Sequence, residues 1–190
     1  MTYSEEIKKL YQETVHGGFL PRAYFTTKGR AQSRESPLNA YDEALMDAGI
    51  AQCNVVGVSS IIPPDAEKID PVEITPGTIT FVVNAHMDGS DGETIGAGIG
   101  YAYGVRKDGT RYGIVAEDHG HKDKQAVEKE LRDRLYRMAH VRKLDLETPE
   151  LVALSIDTIE RHHFGSVLAA FVYLPWDPRE SERYEHKSNV

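Results

Sequence analysis

Residues 53–64 read CNVVGVSSIIPP, a mostly apolar, β-branched run that ends on two prolines. Branched side chains favour a pleated strand over a helix. Proline stops such a strand because it has no N–H to give to a ladder. The run therefore predicts a buried strand from Cys53 to Ile62. The approach to it is equally constrained. Ser36 suits a helix N-cap, Pro37 the first helical residue, and Gly49 a left-handed C-cap. A helix over about Pro37 to Ala48 is thus expected to turn tightly into the strand, and the strand delivers Ser59-Ser60 just before Pro63-Pro64.

Elsewhere the patterning alternates between the two periods. Ile7, Leu10, Tyr11 and Val15 lie at helical spacing within Ser4 to Val15, and His16-Gly17-Gly18 ends that segment. Ala23 to Thr27 reads as a short strand and Lys28 to Ser36 as a polar loop. Thr78 to Ala85 (TITFVVNA) is a strand, Met87 to Glu93 a Gly/Asp-rich loop. Thr94 to Val105 is long enough for a helix, but its glycines disfavour one, so it reads as a strand. Lys107-Asp108-Gly109 marks a hairpin turn, and Tyr112 to Glu117 the returning strand. Asp123 to Val141 carries Val127, Leu131, Leu135 and Met138 on one helical face. Leu151 to Thr158 and Gly165 to Leu174 complete the strands, and residues 175–190 form a charged tail expected to fray. Consecutive strands with grouped helices predict an α+β fold, a layered αββα-type sandwich, rather than a doubly wound sheet. No repeat or linker divides the chain, so one domain is expected.

Composition narrows the function. A chain of 190 residues with 40% hydrophobic and 27% charged residues can bury a core. A net charge of -8 argues against nucleic-acid partners, which call for excess Lys and Arg, and favours the approach of a cationic substrate. The single cysteine, Cys53, allows neither an internal disulfide nor a Cys-rich zinc site. Met1 to Leu10 lacks the apolar core of a signal peptide, and no run approaches the roughly 20 apolar residues of a membrane span. A soluble, cytoplasmic protein with no membrane partner is expected.

Residues 38–67 carry a longer pattern: Leu38-Asn39-Ala40, Asp42, Ala44-Leu45, Ala48-Gly49-Ile50, Asn54, Ser59-Ser60-Ile61 and Pro63-Pro64. Further on come Gly92-Glu93-Thr94-Ile95 and Glu117. Together these residues resemble the pyruvoyl-dependent arginine decarboxylases, over roughly Ala23 to Leu174. The resemblance implies a precursor that cuts itself between Ser59 and Ser60. The Ser60 hydroxyl attacks the preceding carbonyl to give an ester, elimination gives dehydroalanine, and hydrolysis leaves a pyruvoyl group and ammonia. Residues 1–59 become the small chain and residues 60–190 the pyruvoyl-bearing chain, together one domain. The cofactor is the Ser60-derived pyruvoyl group, with no pyridoxal phosphate and no metal. Its ketone forms a Schiff base with the substrate amine and acts as the electron sink for loss of CO2.

The same resemblance assigns the site. Glu117 matches the glutamate that returns a proton to the α-carbon, a task that burial beside the cofactor would suit. Asp42 matches the aspartate that holds the substrate guanidinium, as a charge-assisted pair can. Asn54 matches an asparagine needed for self-processing, and we expect its amide to polarise the Ser59 carbonyl as an oxyanion donor. The family implies a trimer of processed units or a dimer of trimers, with the site between neighbours. Arginine is the expected substrate, with agmatine and CO2 as products serving polyamine synthesis or acid tolerance. The alternatives are a pyruvoyl decarboxylase for another amino acid, such as lysine or histidine, and an uncleaved member acting as a binding subunit.

Competing patterns are weaker. His119-Gly-His121 and His162-His163 suggest a metal site, but Gly120 and the charges after His121 favour a loop. Asp88 to Glu93 is oxygen-rich yet lacks EF-hand spacing, and Gly96, Gly98, Gly100 and Gly104 do not spell a dinucleotide fingerprint. His119 and His121 depart from the family pattern and bear on substrate identity.

Overall fold

The computed structural model describes residues 19–175. The helix expected at Ser4 to Val15 and the tail beyond Pro175 lie outside the described residues. The elements run β1 (Ala23–Ser33), α1 (Pro37–Asp47), β2 (Asn54–Gly57), β3 (Ile61–Ile62), β4 (Glu67–Lys68), β5 (Ile79–Ser90), β6 (Ile95–Arg106), β7 (Arg111–Gly120), α2 (Lys124–Arg142), β8 (Leu144–Leu146), β9 (Glu150–Ile156) and β10 (Phe164–Leu174). The first sheet has the order β2-β5-β10-β1-β4. In the second, β3 pairs β7 and β7 pairs β6, whose far side is shared by β8 and β9. This is a mixed α+β domain of two helices and two sheets among the described residues.

Strand alternation sends one set of side chains between the sheets and the other toward a helix. Tyr24, Val83, Ala85, Val167, Ala169 and Phe171 of the first sheet meet Ile95, Ile99, Tyr101 and Val115 of the second in the central core. The opposite face of the first sheet, with Phe25, Val82, Leu168 and Val172, packs on Ala44 and Ala48 at the end of α1. Ile114, Ala116 and Ala153 of the second sheet pack on Val127, Leu131, Leu135 and Ala139 of α2. Both helices start as their sequences dictate. The Ser36 hydroxyl accepts from Asn39 N at 3.1 Å, and the Asp123 carboxylate from Ala126 N at 2.8 Å. Gly49, at φ 73°, turns the chain out of α1.

Close approach explains the glycines of β6. A Cβ on Gly98 would lie 2.8 Å from both Val127 Cγ1 and Ala153 Cβ, so the bare backbone lets α2 settle onto the sheet. Gly29 of β1 is tighter still: its Cβ would fall 2.1 Å from the Ala44 carbonyl oxygen.

Three sequence expectations are corrected. The polar stretch Lys28–Ser33 is strand, because β10 pairs with β1 along its whole length, from Ala23↔Leu174 to Ser33↔Phe164. Met87–Ser90 is likewise held in β5 by Val167–Phe164 of β10. The predicted single strand from Cys53 to Ile62 is two strands in different sheets, β2 and β3. Tertiary pairing outweighs local propensity in each case.

An aromatic cluster fills the sandwich. Tyr24 stacks on Phe171 at 4.4 Å between ring centroids, and Tyr173 lies 4.9 Å from the same ring. Burial raises the phenol pKa of Tyr24, Tyr101, Tyr103 and Tyr173 above the ordinary value of 10.0. The stability this confers is complete below pH 10 and is lost as pH rises toward the folded-state values, because the unfolded chain ionises first. Denaturant midpoints should therefore be level up to about pH 9 and fall from about pH 10 upward. Gly29→Ala should destabilise the domain by roughly 2–3 kcal/mol, since the overpacked atom meets backbone. Thermal unfolding would register this as a loss of roughly 5–10 °C.

Candidate active site

The chain crosses from one sheet to the other at Ser59-Ser60. On the upstream side Val58 N donates to Val82 O at 2.9 Å, adding one bond to the parallel β2–β5 ladder. Downstream, Ser60 O accepts from Val115 N at 3.0 Å and begins the antiparallel β3–β7 ladder. The peptide between Ser59 and Ser60 belongs to neither ladder. Its carbonyl, Ser59 O, accepts instead from Ile61 N at 3.2 Å across a three-residue turn. Ser59 is exposed and Ser60 half-buried. Among the described residues no group hydrogen-bonds the Ser60 hydroxyl.

The chain beyond the crossing is pinned. Tyr173 Oη donates to Ile61 O at 3.0 Å, and Tyr103 Oη to Ala66 O at 2.6 Å. Arg111 donates to Pro64 O at 2.9 Å while its guanidinium carbon sits 4.1 Å from the Tyr103 ring centroid. Buried Tyr173 and half-buried Tyr103 thus fix residues 61–66 from the core side, where each phenol requires an acceptor.

Glu117 is brought to this edge. Ile61 pairs with Ile114, which sets Ser60 against Val115. Glu117 follows two residues along β7, about 7 Å on, with its side chain on the same face as Val115. It is exposed, so the burial expected of it is not supplied within the chain. Its backbone is held firmly. Arg134 Nη1 donates to Glu117 O at 2.8 Å, and Nη2 to Asp118 Oδ1 at 3.0 Å. Lys122 Nζ donates to Asp118 Oδ2 at 2.6 Å. Asp118, 4% exposed, faces α2 with its carboxylate fully partnered. The pairing of Asp118 with Arg134 and Lys122 goes beyond what the sequence suggests. The signal was the alternation Ile114, Ala116, Asp118, which puts a carboxylate on a helix-covered face and demands cations there.

Two candidates lie away from the crossing. Asn54 opens β2, and its Nδ2 donates to Gly77 O at 2.8 Å. Five extended residues separate it from Ser59, a rise of roughly 16 Å. Within one chain the fold does not bring its amide to the Ser59 carbonyl. Asp42 lies on α1, outside the first sheet, and is exposed, with no hydrogen bond or ion pair to the described residues. One chain does not bring it to Ser60.

The remaining polar motifs do structural work. Glu93 clips its own loop: its carboxylate accepts from Ser90 N at 2.7 Å, and these Ser90 contacts hold it below the usual carboxylate range. His121 Nδ1 lies 3.7 Å from Glu93, and His119 is exposed on β7, which runs on to Gly120 where a loop was expected. A cluster unnoticed in the sequence sits beside α1. His86 Nε2 is 2.7 Å from Asp88 Oδ1 and 3.2 Å from Ser166 Oγ, with the Tyr41 ring 4.3 Å away.

A four-layered α+β sandwich whose chain changes sheets at a serine pair, next to a carboxylate on the adjoining strand, defines a narrow class. A family model described as pyruvoyl-dependent arginine decarboxylase matches residues 23–178. The chain belongs to that family. It is 41% identical over 106 residues to a probable pyruvoyl-dependent arginine decarboxylase from Chlorobium luteolum, covering 53% of this chain and 57% of that one. It is 34% identical over 123 residues to the Thermoplasma volcanium enzyme of that name, covering 62% and 66%. The Methanocaldococcus jannaschii pyruvoyl-dependent arginine decarboxylase is 31% identical over 161 residues, covering 84% and 95%. The match thus spans somewhat over half the length of the Chlorobium relative.

Arg134→Ala should leave Asp118 with Lys122 alone and release the Glu117 carbonyl. We expect a stability loss of about 1–2 kcal/mol, measured by urea unfolding, with faster amide exchange at the end of β7.

Proposed function

We propose that this protein is a self-processing decarboxylase that converts L-arginine to agmatine and CO2. The observation that carries the reading is the Ser59-Ser60 peptide, left outside both ladders with each flank hydrogen-bonded to a different sheet. Such a peptide can be cut without unpairing either strand. The residues present fit a pyruvoyl group at position 60. Serine carries the β-oxygen that elimination requires, its hydroxyl is not engaged by a described partner, and its own carbonyl is anchored by Val115 N. When formed, the group supplies a ketone to capture the substrate amine and an electron sink for decarboxylation.

The chain's own residues divide the remaining work. Glu117, on the strand beside Ser60, is placed to deliver a proton to the substrate α-carbon. Asp42 is the guanidinium partner. Because α1 lies beyond the first sheet, the Asp42 that serves one Ser60 comes from another copy. A trimer of processed units, or a dimer of trimers, with a shared site accommodates this. Leu38 and Met46 of α1, 73% and 65% exposed, lie on the surface such an assembly would cover. Asn54 reaches a processing site only in the same way, from a neighbour. The charge of -8 suits a cationic substrate.

Intact mass of the denatured protein tests the first step: two chains meeting between Ser59 and Ser60 are expected, the larger one starting with a carbonyl in place of an amine. Ser60→Ala should give one uncut chain. In the cut enzyme, Asp42→Asn should raise KM for arginine about tenfold to hundredfold with a smaller effect on kcat, as loss of one charge-assisted pair implies. Glu117→Gln should lower kcat by about a hundredfold or more with KM little changed. Equal CO2 release from arginine and from neutral amino acids would remove arginine as the substrate.

A further inference from the structure

We propose that the backbone N–H of Ile61 is the hydrogen-bond donor that activates the Ser59 carbonyl for self-cleavage; this rests on the reading of Ser59-Ser60 as the processing site. The carbonyl under attack requires a donor at its oxygen, because negative charge develops there as the Ser60 hydroxyl adds. The sequence suggests the Asn54 amide for that task. In the folded chain the Asn54 amide is occupied with Gly77 O at the far end of β2, and Ile61 N lies 3.2 Å from Ser59 O.

The aim of this donor follows from peptide geometry. The Ser60–Ile61 peptide is planar and trans, so its C=O and N–H point in opposite directions. Val115 N fixes the C=O toward β7 at 3.0 Å. The N–H of Ile61 is thereby turned away from β7 and onto the Ser59 oxygen. Tyr173 Oη holds the next carbonyl, Ile61 O, at 3.0 Å and steadies the same residue from the buried side. Because Ser60 O accepts a bond while Ile61 N gives one, the two bonds run through one peptide group and polarise each other.

The step it assists is balanced within the chain. The Ser60 Oγ–C(Ser59) bond forms, the C(Ser59)–N(Ser60) bond breaks, and the hydroxyl proton passes to the departing nitrogen, leaving an ester and a free amine. At the tetrahedral stage the former carbonyl oxygen is an oxyanion, and Ile61 N–H is the donor already in place. Since Ile61 sits on an edge strand and spends its N–H in this turn, the β3–β7 ladder does not use it.

The test replaces the Ser60–Ile61 amide by an ester, using the α-hydroxy acid analogue of isoleucine at position 61. This deletes the N–H and retains the side chain. Ile61→Pro serves as a cruder second variant, and Asn54→Ala and Ser60→Ala as companions. Full-length chains are purified, folding is checked by thermal unfolding, and intact mass is followed over time with and without hydroxylamine, which traps the ester. The expected result is cleavage after Ser59 slowed about a hundredfold in the ester variant, with little hydroxamate formed at Ser59 as distinct from opening of the new ester after Ser60, while the unfolding transition persists. Cleavage of the folded ester variant at the wild-type rate would overturn the proposal, above all if Asn54→Ala alone abolished it. If the unaltered chain also stays whole, like Ser60→Ala, the processing reading itself fails and takes the proposal with it. Product masses separate scission after Ser59 from simple hydrolysis of the new ester after Ser60.

Discussion

The passage of the backbone from one sheet to the other between Val58 and Ser60 is the constraint on which the site depends. A strand residue can satisfy its polar groups only on the ladder it belongs to. Val58 is committed to Val82 in the first sheet and Ser60 to Val115 in the second. The residue between them, Ser59, has to turn its carbonyl elsewhere, and the nearest donor is the N–H two residues on. Exposed, unpaired backbone at a strand junction is ordinarily a weakness. Here both neighbours are locked, so the one loose carbonyl is held at a defined place beside Ser60.

The topology also determines what a cut at that point would do. The upstream piece contributes β1, α1 and β2. β1 is paired to β10 along eleven register positions, and β2 runs parallel to β5 over four. The upstream piece buries its apolar residues against downstream ones: Ala23, Phe25, Ala44, Ala48 and Ile50 share a cluster with Val82, Leu168 and Val172, and Tyr24 joins the central core. Scission at Ser59-Ser60 therefore removes a covalent tie without removing a packing contact. The tie it removes is the one that keeps the ends of β2 and β3 adjacent.

Much of this was legible in the sequence where local chemistry and tertiary demand agree. Ser36-Pro37 and Gly49 mark the ends of α1 because capping is a short-range interaction, and the apolar face of Val127, Leu131 and Leu135 marks α2. What failed were segments whose state is set by a distant partner. Lys28–Ser33 and Met87–Ser90 are polar, yet β10 lies between β1 and β5 and pairs with both, so their backbones are strand regardless of side chain. The split of Cys53–Ile62 was invisible for the opposite reason. Its apolar, branched residues satisfy the pattern of one buried strand equally well, and only the choice between Val82 and Val115 as partners reveals two. Asn54 shows the limit of assigning a role by type. An amide is a suitable donor to a carbonyl, and it does donate to one, but the carbonyl is Gly77.

The electrostatics of the site point in the same direction as its topology. A carboxylate that is to carry a proton near neutral pH needs an environment that disfavours its charge, and exposure supplies the reverse. Glu117 is exposed in the single chain, while its neighbour Asp118 is buried but answered by Lys122 and Arg134. The chain has therefore fixed the backbone under Glu117 and left its side chain open. Asp42, exposed on α1, has the converse lack: a charge with no partner among the described residues. In the proposed assembly a second copy would fill each deficiency, covering Glu117 with apolar surface and setting Asp42 opposite another chain's Ser60.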